Sequence, residues 1–211
     1  MIPEFPGRAD IPEASGVGRL AAEVWTGVPE AQPVQEAAQE TSQETSQEIS
    51  VEVDVQEEGA IASPISQDTW ITWFQTWLTA LAPALSPIGA YELSLRLTTD
   101  AEIHQLNAQY RQVDRPTDVL SFSATESGVT LPADLLAEEP FPLGDIIISL
   151  DTAAAQAQQR NHTLTQELAW LATHGLLHLL GWDHPDEAHL QKMLQQQVNL
   201  LQTVALEVQY D

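Results

Sequence analysis

Apolar and polar positions follow several distinct periods between residue 49 and the C-terminal end of the chain. Residues 49–55 and 91–98 alternate between apolar and polar side chains, which predicts two half-buried β-strands. The apolar residues of 163–180 recur at helical spacing, and the Ala- and Gln-rich segment 151–160 is also predicted to be helical. Another helix is predicted between the two strands, where six apolar side chains share one face: Trp70, Trp73, Phe74, Trp77, Leu78 and Leu81.

A further helix is predicted directly after the second strand. Thr99 and Glu102 have the spacing of a capping box, in which each residue bonds the other's backbone N–H. The inward face of this helix is predicted to carry Ile103, Leu106 and Tyr110.

The second half of the chain contains two more predicted strands. Residues 118–122 form one, and 145–149 form a short, continuously apolar run that is typical of a buried strand. The connection 111–118 is polar and interrupted by Pro116, and the Pro- and acid-rich stretch 125–143 is predicted to be a loop. This order of elements predicts one α+β domain, a mixed β-sheet with helices packed on it.

Residues 1–48 have a different composition, rich in Glu, Gln, Ala, Pro, Ser and Thr, and TSQE occurs twice in succession at 41–48. Their apolar residues are scattered without period, so they cannot bury enough surface to offset the entropy of ordering the chain. We interpret 1–48 as a disordered acidic extension and 49–211 as the functional domain. A start codon assigned too far upstream would also account for the extension.

Charge and composition limit the classes of function. The chain has 31 acidic and 7 basic residues, a formal charge of −24, which argues against a broad basic surface for nucleic acid. It has no cysteine, so any transition-metal site must use imidazole or carboxylate ligands. No apolar stretch approaches the ~20 residues of a membrane span, and no secretory signal is recognisable, which predicts a cytoplasmic protein.

The segment HGLLHLLGWDH, residues 174–184, carries the candidate chemistry. Thr163 and Gln166 have the spacing of a capping box at the start of its helix. His174 and His178 are four residues apart and therefore lie on one helical face, one turn apart. Gly181 is a natural end for the helix and allows the chain to turn, so that His184 can approach as a third ligand.

Three neutral imidazoles suit one Zn²⁺ ion and leave its fourth position open for water, whose pKa falls to ~7. Histidine pairs at this spacing also arise by chance. The third histidine and the apolar surroundings, where unpaired imidazoles are costly, favour the metal site. Nickel or copper would accept the same ligands. We do not predict His104, His162 or His189 to be ligands.

The spacing also resembles the HExxHxxGxxH motif of metzincin peptidases, in which a Glu after the first histidine is the general base. Gly175 occupies that position here. Loss of such a base costs ~10²–10⁴-fold in rate, and nothing in the sequence supports a replacement such as Glu167. A metzincin-like zinc peptidase is therefore kept as an alternative function.

HGLLHLLGWDH more closely resembles the HGxLHLxGYDH signature of the YbeY endoribonucleases, or rRNA maturation factors, and departs from it at Trp182. NAQYRQVDRPTDVLSFS (107–123) is similar to a second block of that family, with Ser123 in place of Pro. GDIIIS (144–149) is similar to a third. QKMLQQQ (191–197) has Gln where relatives often have Glu, a difference to which we attach little functional weight.

The resemblance, which covers about residues 49–200, implies a zincin-like fold with the two-histidine helix against the sheet. It implies a single-strand-type endoribonuclease that matures the 3′ end of small-subunit 16S rRNA and acts in ribosome quality control. Zn²⁺ would be held by His174, His178 and His184, and Arg111 would be the catalytic arginine. The implied partners are ribosomal RNA and the small ribosomal subunit, with no DNA or membrane and no indication of an oligomeric state.

Several alternatives remain open at this point. Arg111 could instead form an ion pair with Asp114 or Asp118, and Asp183 could orient a ligand imidazole. The protein could be a non-catalytic ribosome assembly factor with a structural zinc ion. If it does act on RNA, its acidity predicts weak binding to free RNA, with Arg111 and Arg115 as a local basic spot and delivery by the ribosome.

Overall fold

The alternating segments pair into a four-stranded sheet in the computed structural model, which describes residues 48–127 and 132–208. The strands are β1 (Ser50–Glu57), β2 (Ala90–Thr98), β3 (Val119–Ser123) and β4 (Phe141–Ser149). Their order in the sheet is β1-β2-β4-β3. β1, β2 and β4 run parallel, and β3 is antiparallel to β4 at one edge. The mixed sheet predicted from the sequence is therefore confirmed.

Four of the six α-helices of the described residues lie at the predicted positions, and one short helix within 125–143 and the C-terminal helix are additional. The helices are α1 (Gln67–Leu81), α2 (Asp100–Arg111), α3 (Ala133–Leu136), α4 (Leu150–Arg160), α5 (Leu164–Leu179) and α6 (Glu187–Thr203).

The described residues belong to one compact unit, Glu44–Asp211. The predicted extension 1–48, apart from Glu48, lies outside the described residues, so its predicted disorder stays a prediction. Among the helices of the described chain, none is both long and apolar enough to cross a membrane.

The larger hydrophobic core lies on one face of the sheet and joins it to α1, α5 and α6. Trp70, Phe74 and Trp77 of α1 are fully buried in it, and the Trp77 indole donates to the carbonyl of Leu200 in α6 at 3.1 Å. A smaller cluster of Ile103, Leu120 and Ile147 lies between α2 and the sheet. Because α5 carries buried side chains along most of its length, its orientation against β3 and β4 is fixed by packing.

The prediction for β4 was too short, since this strand begins at Phe141 rather than at residue 145. The first half of the strand was not predicted because it contains Pro142 and Gly144, and neither residue favours a strand interior. Gly144 has φ +122°, and a Cβ there would lie 2.0 Å from the carbonyl oxygen of Phe122. The register with β2 shifts between Glu92 and Leu93, so the first half of β4 is irregular but still paired.

The prediction of a loop over 125–143 was also incomplete. A 3₁₀ turn covers Ala124–Ser127, and α3 covers Ala133–Leu136. Both are a single short turn without a repeating apolar pattern, which is why periodicity gives no sign of them.

Two details of α2 differ from the prediction. Thr99 does cap the helix, but the Glu102 carboxylate accepts from the Thr98 hydroxyl and pairs with Arg96, so the second half of the capping box is not formed. Tyr110 was predicted to point inward and is 59% exposed. The last turn of α2 extends past the small core, and the Tyr110 ring meets Phe122 edge-on, at 5.1 Å between centroids.

Candidate metal centre

Capping interactions between residues close in the chain define both ends of α5. At its start the Thr163 side chain accepts from the backbone of Gln166 and the Gln166 side chain accepts in return, as predicted. At its end Gly181 has φ +83°, its N–H donates to His178, and the N–H of Trp182 donates to Leu177. These two bonds are the Schellman pattern, which requires the left-handed conformation that glycine adopts without strain. The turn directs the following residues back toward the helix.

The turn brings His184 to the two helical histidines. The three rings have centroids 4.7–5.7 Å apart, and Nε2 of His174 lies 3.1 Å from Nε2 of His178. One nitrogen from each ring lies within 4.8 Å of the others. We call His174, His178 and His184 the histidine cluster. No fourth His, Asp or Glu among residues 48–127 and 132–208 joins it.

Neighbouring groups fix the orientation of two of these rings. Nδ1 of His174 lies 3.2 Å from Oε1 of Gln197, which is fully buried in α6 and whose amide nitrogen donates to the carbonyl of Trp170 at 3.2 Å. Since the amide oxygen can only accept, Nδ1 of His174 carries the proton and Nε2 presents its lone pair to the cluster. The backbone of Trp182 accepts a hydrogen bond from the His178 ring.

Burial keeps the helical imidazoles neutral. It is the main cause that lowers the pKa of His178 to about 4, with the neighbouring His174 and His184 adding to the effect. Burial likewise lowers the pKa of His174, against the opposing hydrogen bond with Gln197. Neutral imidazoles are the form that binds a metal ion.

The arrangement fits a divalent metal ion. Two nitrogens at 2.0–2.1 Å from a tetrahedral zinc ion lie about 3.4 Å apart, close to the spacing of the two helical Nε2 atoms. A cation held between the three rings would accept a lone pair from one nitrogen of each. The structure thus brings together the three predicted ligands, and His104, His162 and His189 lie outside the cluster.

The position that would hold a peptidase's general base has no room for a side chain. A Cβ on Gly175 would lie 2.8 Å from Cγ2 of Ile146 and 3.0 Å from Oγ of Ser121. Glu167 is fully buried and pairs with Arg160 at 2.5 Å, so it cannot replace the missing base. The helix approaches the sheet too closely for the glutamate of the HExxH motif.

Arg111 is the last residue of α2, and its side chain is exposed. Its charge is the smallest of the contributions that lower the pKa of His178, after burial, His174 and His184. The alternative ion pairs are absent within the described residues. Asp114 instead contacts His104 at 2.7 Å, and Asp118 accepts from the backbone of Val119 and from Gln156.

The structure differs from two smaller predictions, which concern Asp183 and Gln197. Oδ1 of Asp183 accepts from the backbone N–H of His184 at 2.8 Å, so it shapes the turn and does not hold an imidazole. Gln197, to which we attached little weight, is the residue in contact with His174. The available signal in the sequence was a Gln on the apolar face of an otherwise amphipathic helix. Its partner lies 23 residues away in the chain, so the sequence does not identify that partner.

Together, fold and site define an α+β domain with an open, three-imidazole candidate metal centre. A family model described as "Endoribonuclease YbeY" matches residues 55–205, about seven-tenths of the chain. This chain belongs to the endoribonuclease YbeY family, whose name denotes hydrolases that cut RNA within the strand.

Similar proteins from several bacteria carry the same name. The Endoribonuclease YbeY of Acaryochloris marina is 61% identical over 140 residues, 66% of this chain and 79% of the relative. That of Trichormus variabilis is 53% identical over 150 residues, 71% of this chain and 85% of the relative. A protein of Thermotoga maritima with a solution structure is 24% identical, with a TM-score of 0.47, over 72% of this chain and 89% of that one.

Proposed function

We propose that this protein is a zinc-dependent endoribonuclease that acts on single-stranded ribosomal RNA and matures the 3′ end of small-subunit 16S rRNA in the cytoplasm. The observation that carries the proposal is the open histidine cluster in a chain whose relatives are named endoribonucleases. The proposal assigns this activity to residues 49–211 and includes the zincin-like placement of α5 against the sheet.

Each residue of the site has a proposed role. His174, His178 and His184 hold one Zn²⁺ ion, with Gln197 orienting His174. When bound, the zinc ion supplies a Lewis acid and an activated water for attack on the phosphodiester. Arg111 places a planar guanidinium beside this centre, where it can pair with the phosphate oxygens as negative charge develops on them.

Two observations favour this function over the alternatives. A peptidase of the metzincin kind needs a carboxylate that Gly175 cannot carry and that the packing against Ile146 excludes. A purely structural zinc site is normally closed by a fourth protein ligand, whereas the described part of the chain offers three. The open position favours catalysis over an assembly factor with structural zinc.

The test is cleavage of a small-subunit rRNA precursor fragment by the purified protein and by a His178→Ala variant purified identically. A His189→Ala variant is the matched control, because His189 is an exposed histidine that pairs with Asp186 away from the cluster. We expect the wild type and His189→Ala to cut, and His178→Ala to lose activity. Equal cutting by all three would overturn the assignment of the histidine cluster.

If none of the three proteins cuts the free fragment, the same assay is repeated with immature small ribosomal subunits as substrate. Delivery by the ribosome agrees with the charge of −24, because such a protein should bind free RNA weakly. Failure on both substrates would overturn the enzymatic proposal in favour of the assembly-factor alternative.

A further inference from the structure

A polar pocket of about 460 Å³ opens between the connection 112–118 and helix α4. Its lining includes Arg111, Arg115, Asp118, Thr152 and Gln156. Its lining also includes Val119 of β3, the strand on which α5 lies. A Cβ on Gly175, the residue after His174, would lie 3.0 Å from Oγ of Ser121 in the same strand. The pocket therefore lies on the side of β3 near the candidate metal centre. Its volume is within the range of pockets that bind small ligands, and one nucleotide is such a ligand.

The pocket is lined by two basic residues that form no ion pair within the described residues. Residues 48–127 and 132–208 contain five basic residues: Arg96, Arg111, Arg115, Arg160 and Lys192. Arg96 pairs with Glu58 and Glu102, and Arg160 pairs with Glu167. No ion pair forms within those ranges at the other three, of which Arg111 and Arg115 line this one pocket.

The single carboxylate of the pocket is already engaged. Oδ1 of Asp118 accepts from the hydroxyl of Thr117 at 3.1 Å and from the N–H of Val119 at 2.9 Å. Oδ2 accepts from Gln156 at 3.0 Å. Asp118 thus holds the pocket wall together and leaves both guanidinium groups free of a carboxylate partner, so the pocket has a net charge of +1.

The wall that carries Arg115 is rigidly built. The side-chain amide of Asn107, a buried residue, donates to the carbonyl of Arg115 at 2.8 Å. The N–H of Val113 donates to Asn107 at 3.2 Å, and His104 contacts Asp114 at 2.7 Å. A connection fixed at these points holds the arginine backbone in place before any ligand arrives, which lowers the entropic cost of binding.

A second groove, on the sheet face opposite the main core, has the reverse character. It encloses about 600 Å³ and is lined by Glu52, Asp54, Glu92 and Asp145, with no basic residue. Phosphate is repelled there and attracted to the arginine pocket, because clefts focus the field of the charges that line them.

We propose that the arginine pocket is the subsite for the nucleotide next to the scissile bond, with Arg115 as an RNA-binding residue that holds its phosphate. This inference rests on the proposed function and adds to it. In this proposal Arg115 contributes equally to binding of substrate and transition state, in contrast to Arg111, to which the proposed function assigns a role in the transition state. A residue of this kind changes KM and leaves kcat unaltered.

The first test measures binding of a fluorescent single-stranded RNA oligonucleotide at several salt concentrations, in the His178→Ala background so that the RNA stays intact. Arg115→Ala should raise the Kd about 5–10-fold at low salt, and should lower the slope of log K against log salt by about 0.7, the value for one phosphate contact on a single strand. Arg115→Lys should recover much of the slope. Lys192→Ala, which removes a basic residue outside the pocket, should match the parent protein.

The second test separates this inference from the proposed function. With wild-type histidines, Arg115→Ala should raise KM for RNA cleavage and retain kcat. Unchanged Kd, salt slope and KM in Arg115→Ala, beside an active wild type, would overturn the subsite and leave the enzyme assignment intact. Loss of the salt slope in Arg115→Ala, beside a wild type that cuts no RNA, would support the subsite while the proposed function fails.

Discussion

Helix α5 contributes to two polar clusters about two turns apart, and they differ in whether a negative charge in the cluster is paired with a positive one. The Glu167 cluster, at the start of the helix, consists of Arg160, His162 and Glu167. The Glu167 carboxylate is fully buried, pairs with Arg160 at 2.5 Å and lies 3.4 Å from Nδ1 of His162. The histidine cluster, at the other end, contains three imidazoles and no carboxylate.

The difference separates a structural polar cluster from a ligand-binding one. The buried Glu167 carboxylate has its counter-ion, Arg160, inside the protein. In the histidine cluster one nitrogen of each ring lies within 4.8 Å of the others, and burial disfavours the protonated forms of His174 and His178. A cation from outside would complete the interactions of these nitrogens. We therefore expect changes in the Glu167 cluster to alter folding and changes in the histidine cluster to alter metal binding.

The largest effect is expected for His174→Ala, which should reduce zinc affinity by about 100–1,000-fold. A zinc site with four ligands contributes about 10–16 kcal/mol, so one ligand represents about 2.5–4 kcal/mol. Competition with a chromophoric chelator at pH 7.5 measures the affinity, and urea unfolding of the metal-free proteins measures the stability. The metal-free variant should lose about 1 kcal/mol relative to the metal-free wild type, because the buried Gln197 oxygen loses its donor. If His174→Ala instead lost much stability and kept its zinc affinity, the histidine cluster would have a structural role like that of the Glu167 cluster.

Glu167→Gln should have the opposite pattern, with the free energy of unfolding lowered by about 2–3 kcal/mol and zinc affinity retained. The amide keeps the size of the carboxylate but leaves the Arg160 guanidinium without its ion-pair partner. Glu52→Gln is the matched control, because Glu52 is an exposed acid on β1. Urea unfolding should distinguish the two variants clearly. A Glu167→Gln protein of wild-type stability that binds no zinc would show that the two clusters are coupled.

Gln197→Ala should lower zinc affinity by about 10–100-fold, the usual cost of removing a group that orients a metal ligand. Without the Gln197 oxygen, Nδ1 of His174 has no acceptor at this position, and the ring is free to rotate or to change tautomer. Gln197→Glu preserves the acceptor for His174 but replaces the donor to the Trp170 carbonyl by a second oxygen, so its zinc affinity should lie between those of Gln197→Ala and the wild type. Gln195→Ala, an exposed position on the same helix, is the control. Equal zinc affinity in the wild type and all three variants would show that Gln197 does not orient a metal ligand.

The sequence predicted the parts of this molecule that depend on neighbours in the chain. The Thr163–Gln166 capping box and the turn at Gly181 each need only a few consecutive residues, and both are confirmed. The convergence of His174, His178 and His184 follows from one helix and one turn. The spacing of these residues in the sequence was therefore enough to predict them as candidate ligands.

Long-range relationships were not predictable in the same way. The contact between His174 and Gln197 depends on how α6 packs against α5, and the irregular first half of β4 depends on pairing with β2. Tyr110 has the spacing of a core residue, but α2 continues beyond the surface that it covers. Tertiary packing decides these features, and a single sequence carries no direct signal of it.

The smallest expected effect is a pH dependence confined to the histidine cluster in the metal-free protein. Burial, and then the other two histidines, lower the pKa of His178 to about 4, against an ordinary value of 6.5. Above pH 6.5 the ring is neutral in both folded and unfolded chains and contributes nothing. As pH falls from 6.5 toward 4, the unfolded chain takes up the proton first, so stability is lost. Allowing for the partial exposure of the ring, the loss by pH 5 is about 1 kcal/mol.

This loss can be assigned to His178 by comparing urea unfolding of the wild type and His178→Ala at pH 7 and pH 5, both with a chelator present. The wild type should lose about 1 kcal/mol more than the variant over this interval. The Glu167→Gln protein should keep the wild-type difference, because its histidine cluster is unchanged. If His178→Ala shows the full wild-type loss, the pH response comes from other groups. Burial of His178 would then contribute nothing measurable to stability, and its neutral state would have to be attributed to the metal ion itself.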